Sequence, residues 1–81
     1  MTVNVRLFAE LRERFGCDRT AIDLPPGTTV GDLLARLAES TPQVRPLLAK
    51  SAVAVGLEMS SPDRILQGND EISILPPVSG G

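Results

Sequence analysis

Pro76-Pro77-Val78-Ser79-Gly80-Gly81 follows directly on the alternating stretch Glu71-Ile72-Ser73-Ile74-Leu75, and the rest of the chain is read outward from this junction. The two prolines bias the exit from the strand toward an extended, polyproline-like path, which limits the freedom the segment loses on docking. Six residues reach at most roughly 20 Å. Gly80 and Gly81 carry no Cβ, so the tip is thin enough for a narrow channel and has backbone conformations closed to other residues. Such a tail suits delivery of a terminal carboxylate, borne by Gly81, into a partner's active site. The competing reading is a frayed, Gly-rich chain end. On the first reading residues 1–75 form one domain and residues 76–81 an extended tail.

Upstream of the tail, Ile72 and Ile74 share one strand face while Ser73 and Leu75 share the other. The first strand, residues 3–8, alternates likewise, with Val3, Val5 and Leu7 inward and Asn4, Arg6 and Phe8 outward. Residues 9–15 are good helix formers, pair Leu11 with Phe15 at i and i+4, and stop at Gly16, a C-terminal cap. Residues 19–24 alternate weakly as a strand, closed by Pro25-Pro26-Gly27, whose Pro-Gly step suits a type II turn. The clearest helix spans residues 30–39: Val30, Leu33, Leu34, Leu37 and Ala38 follow the i, i+3, i+4, i+7, i+8 spacing of a face laid on a sheet. Thr29 and Asp32 have capping-box spacing, and Gly31 weakens the first turn. Ser40-Thr41-Pro42 breaks the helix, and residues 44–48, with Pro46 inside, read as a turn or short irregular helix. Residues 52–55 form a buried strand, residues 57–62 a polar loop or weak strand, Ile65 and Leu66 a small apolar anchor, and residues 67–70 a turn. The outcome is an α+β chain with a mixed sheet of four to five strands packed against one main helix plus a short one. This order fits a ferredoxin-like sandwich as well as a β-grasp.

With 81 residues the chain holds one modest core, so any elaborate active site must be shared with a partner. A net charge of −2 argues against a nucleic-acid binder working through a basic surface, and an acidic carrier suits a basic partner. The single cysteine, Cys17, excludes an internal disulfide and a multi-cysteine zinc site, and the lack of histidine removes the commonest general base and metal ligand. Cys17 reads as a lone loop cysteine rather than a persulfide-bearing thiol, since no resolving cysteine or basic cluster accompanies it. Lys50 is the only lysine, and there is neither a signal-like N-terminus nor a bilayer-length apolar run, so the expectation is a soluble, cytoplasmic protein bound to no membrane.

The hexapeptide PPVSGG resembles the ending of the ubiquitin-like sulfur-carrier proteins, in particular the MoaD family of molybdopterin synthase small subunits. The opening Val5-Arg6-Leu7-Phe8-Ala9-Glu10-Leu11-Arg12-Glu13 and the stretches Ala52-Val53-Ala54-Val55-Gly56 and Asp70-Glu71-Ile72 are similar to the same family, so the resemblance covers essentially the whole chain. Two positions depart from it: Gly56 stands where the family has asparagine, and Asn69 where its Gly-Asp-Glu turn has glycine, a mild change because asparagine tolerates a left-handed backbone.

The resemblance implies a β-grasp fold with the first and last strands parallel in the middle of the sheet. It also implies a chemistry. An ATP-dependent activating enzyme adenylates the Gly81 carboxylate, and a sulfur donor such as a cysteine desulfurase or rhodanese-like protein converts it to a thiocarboxylate. The tail then enters the large subunit, where sulfur passes to cyclic pyranopterin monophosphate within a heterotetramer. No cofactor is held permanently and no metal is involved; ATP belongs to the activating enzyme, as no phosphate-cradling loop is present here. Gly81, with Gly80, carries the chemistry. The parallel pairing would also bring Phe8 and Leu75, both of outward parity, to the point where the tail leaves, so these two with Pro76, Pro77, Val78 and Ser79 are the expected partner-binding residues. The alternative for Phe8 is a core position, hidden by the short helix through Leu11 and Phe15. Competing functions are a carrier for another thiolation pathway, a ubiquitin-like modifier conjugated through Gly81, and an interaction domain with an inert tail.

Overall fold

In the computed structural model, which describes residues 1–77, the chain runs β1 (Thr2–Leu7), α1 (Ala9–Phe15), β2 (Arg19–Asp23), α2 (Val30–Ser40), a 3₁₀ turn (Pro42–Val44), α3 (Arg45–Ala49), β3 (Ala52–Val55), β4 (Glu58–Met59) and β5 (Glu71–Leu75). The strands form one sheet in the order β2-β1-β5-β3-β4. Only the central β1–β5 pair is parallel, with Val5 opposite Ile72 and Leu7 opposite Ile74; β1–β2, β3–β5 and β3–β4 are antiparallel. A mixed five-stranded sheet with its first and last strands side by side, crossed by one principal helix, is the β-grasp arrangement, and the ferredoxin-like alternative is excluded.

The period-two pattern of the strands decides which face is covered. Val3, Val5 and Leu7 of β1, Ile72 and Ile74 of β5, and Val53 and Val55 of β3 are all buried. Against them lie Val30, Leu33, Leu37 and Ala38 of α2, Leu11 of α1 and Leu48 of α3, so every helix contributes to the same core. The opposite face of the sheet carries Arg6, Ser73, Ala54 and Met59 in one cross-strand row and has no helix over it among the described residues.

Local chemistry accounts for the element ends. Thr29 and Asp32 form the reciprocal capping box, each side chain accepting from the other's backbone N–H at 3.2 Å. The N–H groups of Val30 and Gly31 are satisfied by the carbonyls of Arg64 and Pro62 at 2.9 and 3.0 Å, so the loop before β5 closes the helix start. A Cβ on Gly31 would lie 3.4 Å from Pro62, an ordinary contact. Gly16 ends α1 at φ 78°, its N–H donating to the Arg12 carbonyl. Pro25-Pro26-Gly27-Thr28 makes the expected turn, with Gly27 at φ 91° and the Thr28 N–H on the Pro25 carbonyl.

The ends of β1 and β2 differ from the sequence reading. β1 stops at Leu7, because Ala9 takes φ 50° and turns the chain into α1, making Phe8 the N-cap of that helix. β2 ends at Asp23, one residue early. Of the two readings of residues 44–48, the short helix is the one formed: Pro46 sits in the first turn of α3, where a proline removes an N–H that has no partner anyway.

Candidate functional site

β5 is held by hydrogen bonds on both sides, to β1 and to β3, up to its last residue, where Leu75 pairs with Ala52. The chain beyond it therefore starts from a rigidly placed root. Pro76 is half-buried and Pro77 exposed. Val78, Ser79, Gly80 and Gly81, the positions expected to enter the partner and to carry the chemistry, lie outside the described residues.

Around the root the sheet and α1 place two apolar side chains. In the parallel register Leu7 lies opposite Ile74, so Phe8, one residue on, stands beside Leu75. Leu75 is 37% exposed. Phe8 is half-buried and takes no part in the core cluster, whereas Leu11 is fully buried and Phe15 packs against that core. The Arg6 guanidinium carbon lies 5.1 Å from the centroid of the Phe8 ring, which puts the ring on the open face of the sheet with Arg6. Phe8 is thus placed outward at the tail root, as its strand parity predicts, and α1 does not hide it as core.

The open face carries further apolar side chains that the sequence reading passed over. Leu57, at the tip of the β3–β4 turn, is fully exposed, and Met59 is 65% exposed beside Ala54. Residues 57–62 read as a polar loop or weak strand because only these two of the six are large and apolar, and the weak strand is what forms, as β4. The signal present was the pairing of Ala52-Val53-Ala54-Val55 with a Gly56 turn, which predicts a hairpin and hence a partner strand with an outward side chain. Gly56 takes φ 62° there and donates its N–H to the Glu71 carbonyl at 2.8 Å, so the turn is bonded through backbone without a side chain at this position. Asn69 likewise takes a left-handed conformation, φ 68°, with its N–H on the Thr2 carbonyl.

Two recesses flank α1 at this end of the molecule. One of about 300 Å³ is lined by Pro77, by Glu10 and Arg14 of α1 and by Pro46, Leu47 and Lys50 of the α3 region. The other, about 370 Å³, lies against Phe8 and is lined by Arg6, Arg12, Asp18 and Arg19. Arg14 pairs with Glu10 at 2.9 Å, and Arg6 approaches Glu71 only to 4.0 Å. A third recess, between Phe15, Cys17, Ile22 and Leu37, shares no lining residue with these two, and Cys17 there is exposed. Among the described residues no group of three or more His, Cys, Asp or Glu side chains could hold a metal ion, and no helix is long and apolar enough to cross a membrane.

The described site thus consists of a fixed tail root, an apolar rim and flanking cations; it lacks a nucleophile–base pair of its own. That arrangement can present a chain end. Residues 5–81 match the ThiS family. The chain is 41% identical over 80 residues to the molybdopterin synthase sulfur carrier subunit of Dictyostelium discoideum, covering 95% of this chain and 93% of that one. Among solved structures it superposes on small archaeal modifier protein 1 of Haloferax volcanii with a TM-score of 0.85 at 25% identity, covering 95% of this chain and 98% of that chain. It also superposes on a chain in the complex of subunits 1 and 2 of the molybdopterin-converting factor of Helicobacter pylori, with a TM-score of 0.71 at 26% identity and full coverage of both. The chain belongs to the ThiS family, MoaD-like in its sequence and ubiquitin-like in its fold.

Proposed function

We propose that this chain is the sulfur carrier subunit of molybdopterin synthase, with residues 1–75 as the docking domain and residues 76–81 as the delivered tail. The observation that carries the reading is the junction at Leu75: a strand locked between two neighbours runs into Pro76-Pro77-Val78-Ser79-Gly80-Gly81, flanked by the outward Phe8 and Leu75. The H. pylori complex supports the large subunit as the receiving partner.

The chemistry follows from what a carboxylate lacks. Oxide is a poor leaving group, so an activating enzyme joins the Gly81 carboxylate to AMP at the expense of ATP, releasing pyrophosphate. A persulfide sulfur on a donor such as a cysteine desulfurase or rhodanese-like protein attacks the carbonyl and expels AMP. A thiol then cleaves the acyl disulfide, taking the donor's sulfur into a new disulfide and leaving a thiocarboxylate on Gly81. In the large subunit this sulfur would displace an oxygen substituent of cyclic pyranopterin monophosphate, and water would then cleave the acyl–sulfur bond, leaving sulfur on the pterin and returning the Gly81 carboxylate. The absence of side chains at Gly80 and Gly81 leaves the carbonyl open to approach and lets partner donors contact the backbone closely.

The test is the intact mass of the purified chain after incubation with ATP, the activating enzyme and a persulfide donor. The expected result is a gain equal to the exchange of one oxygen for sulfur, confined to the C-terminal peptide. No gain with an enzyme active on a known carrier rejects the reading.

The likeness to a small archaeal modifier favours a second reading, conjugation through Gly81 to lysines of other proteins. Higher-mass ladders in cell extracts that vanish on deletion of Gly81 would support it. A related carrier role in another thiolation pathway uses the same tail chemistry and differs only in the acceptor.

A further inference from the structure

The formal charge of the chain is −2, yet the charges are sorted in space. The two recesses that flank α1 at the tail root are lined by Arg6, Arg12, Arg19, Arg14 and Lys50, five of the eight basic residues, and by only two of the ten acidic ones, Asp18 and Glu10. The rest of the molecule holds three basic and eight acidic residues, so the lining of these two recesses is net positive on a net negative protein, with Glu71 approaching Arg6 to 4.0 Å. Of these cations Arg14 is paired with Glu10, and Arg6 is engaged with the Phe8 ring. Among the described residues no carboxylate comes within 4.0 Å of Arg12 or Arg19.

We infer that this basic collar docks on an acidic rim around the mouth of the channel in the partner that accepts the tail, with Arg12 and Arg19 steering the approach. The inference rests on the carrier reading above and takes the large subunit as the partner. It reverses the expectation drawn from net charge alone, which pointed to a basic partner.

Position selects carboxylates on a protein surface over phosphates at a reacting centre. Gly81 lies four residues beyond Pro77 and reaches at most roughly 14 Å from it. Adenylation and sulfur transfer therefore take place deep inside a partner, while the collar stays at the surface where the tail enters. Exposed charges of this kind contribute little to final affinity and much to encounter rate and orientation.

The experiment is stopped-flow association of the full chain with the purified large subunit at low and high salt. Two double variants receive the same change in net charge: Arg12→Glu with Arg19→Glu in the collar, and Arg45→Glu with Arg64→Glu, which line neither recess. Circular dichroism verifies that both fold. The collar variant is expected to associate about 10- to 100-fold more slowly at low salt and to converge on the wild type at high salt, while the distal variant changes by about twofold or less. Arg12→Lys with Arg19→Lys should retain most of the wild-type rate. Equal slowing of both double variants, no slowing of either, or faster association of the collar variant overturns the inference and leaves the carrier reading intact. Failure of the wild-type chain to bind the large subunit at any salt overturns the carrier reading, and the inference falls with it.

Discussion

Replacing Phe8 by Asp separates a docking residue from a core residue, because the two roles predict opposite patterns of loss. Phe8 stands outside the core cluster, and its measurable fixed contact is the Arg6 guanidinium 5.1 Å above the ring. Loss of an exposed cation–π contact costs about 0.5–1 kcal/mol, and loss of the partial ring burial about as much again. Against this, Phe8 occupies the N-cap of α1 in an extended conformation with no side-chain cap, a position where Asp contributes about 1 kcal/mol. The net change in stability is then within about 1 kcal/mol, or about 4–8 °C in Tm for a domain of this size. At the interface the same change removes an aromatic anchor and inserts a charge, costing about 2 kcal/mol or more, a weakening of Kd by about 30-fold or more. Thermal melting and calorimetric titration with the large subunit read the two effects separately. A fall in Tm of more than about 12 °C, matching the roughly 3–5 kcal/mol of a core Phe truncation, would refute the reasoning, as would an unchanged Kd.

Other expectations concern the tip, the main helix and the turn into α1. Gly81→Ala crowds the acyl carbonyl and should lower sulfur transfer about 100-fold in a reconstituted synthase assay, with the circular dichroism spectrum unaltered; wild-type turnover would remove Gly81 from the mechanism. Thr29→Ala deletes one half of the capping box and should destabilise the fold by about 1 kcal/mol in urea titration, at unchanged affinity for the partner. Ala9 is held at φ 50°, where an L side chain costs about 1–2 kcal/mol, so Ala9→Gly should be neutral or stabilising by about 1 kcal/mol; a clear loss of stability would show that the Ala9 methyl is needed for packing.

Much of this was legible in the residues, and what was not had a specific physical cause. The spacing of Val30, Leu33, Leu37 and Ala38 and the Thr29/Asp32 pair located α2 because local periodicity and local capping govern a helix of that length. The parity of Phe8 and Leu75 was equally readable. Their adjacency was not, since pairing of β1 with β5 joins segments more than sixty residues apart, and alternation alone left two topologies open. The third helix was left open between a turn and a short irregular helix, because Pro46 inside its segment fits a helix only if the helix begins just before it, at Arg45. The weak strand at residues 57–62 could not be told from a loop, nor the outward side of Met59 fixed, because a two-residue strand is stabilised by its neighbour β3 and has too few residues to show a period. The charge sorting was hidden for the same reason as the topology: Arg6, Arg12 and Arg19 are spread over two strands and a helix, and only folding gathers them around one recess.

A carrier that delivers its own chain end contributes position, and among the described residues the fold fixes the root of the tail. Leu75 ends a strand held by β1 as far as Ile74 and by β3 through Leu75 itself, and docking of Phe8 and Leu75 would set its distance from the partner's reacting centre. From there the depth reached by the Gly81 carbonyl depends on the number of residues between. Each residue of extended chain spans about 3.4 Å, whereas a reacting atom misplaced by about 1 Å already loses about 100-fold in rate. Glycine flexibility at positions 80 and 81 can take up direction but cannot shorten or lengthen an extended path by a whole residue, and Pro76-Pro77 removes the slack that a coil would offer. On this reasoning the length of the segment from Leu75 to Gly81 is as tightly constrained as its composition. A single alanine inserted between Val78 and Ser79 should abolish sulfur transfer in the reconstituted synthase while leaving docking through Phe8, Leu75 and the basic collar in place.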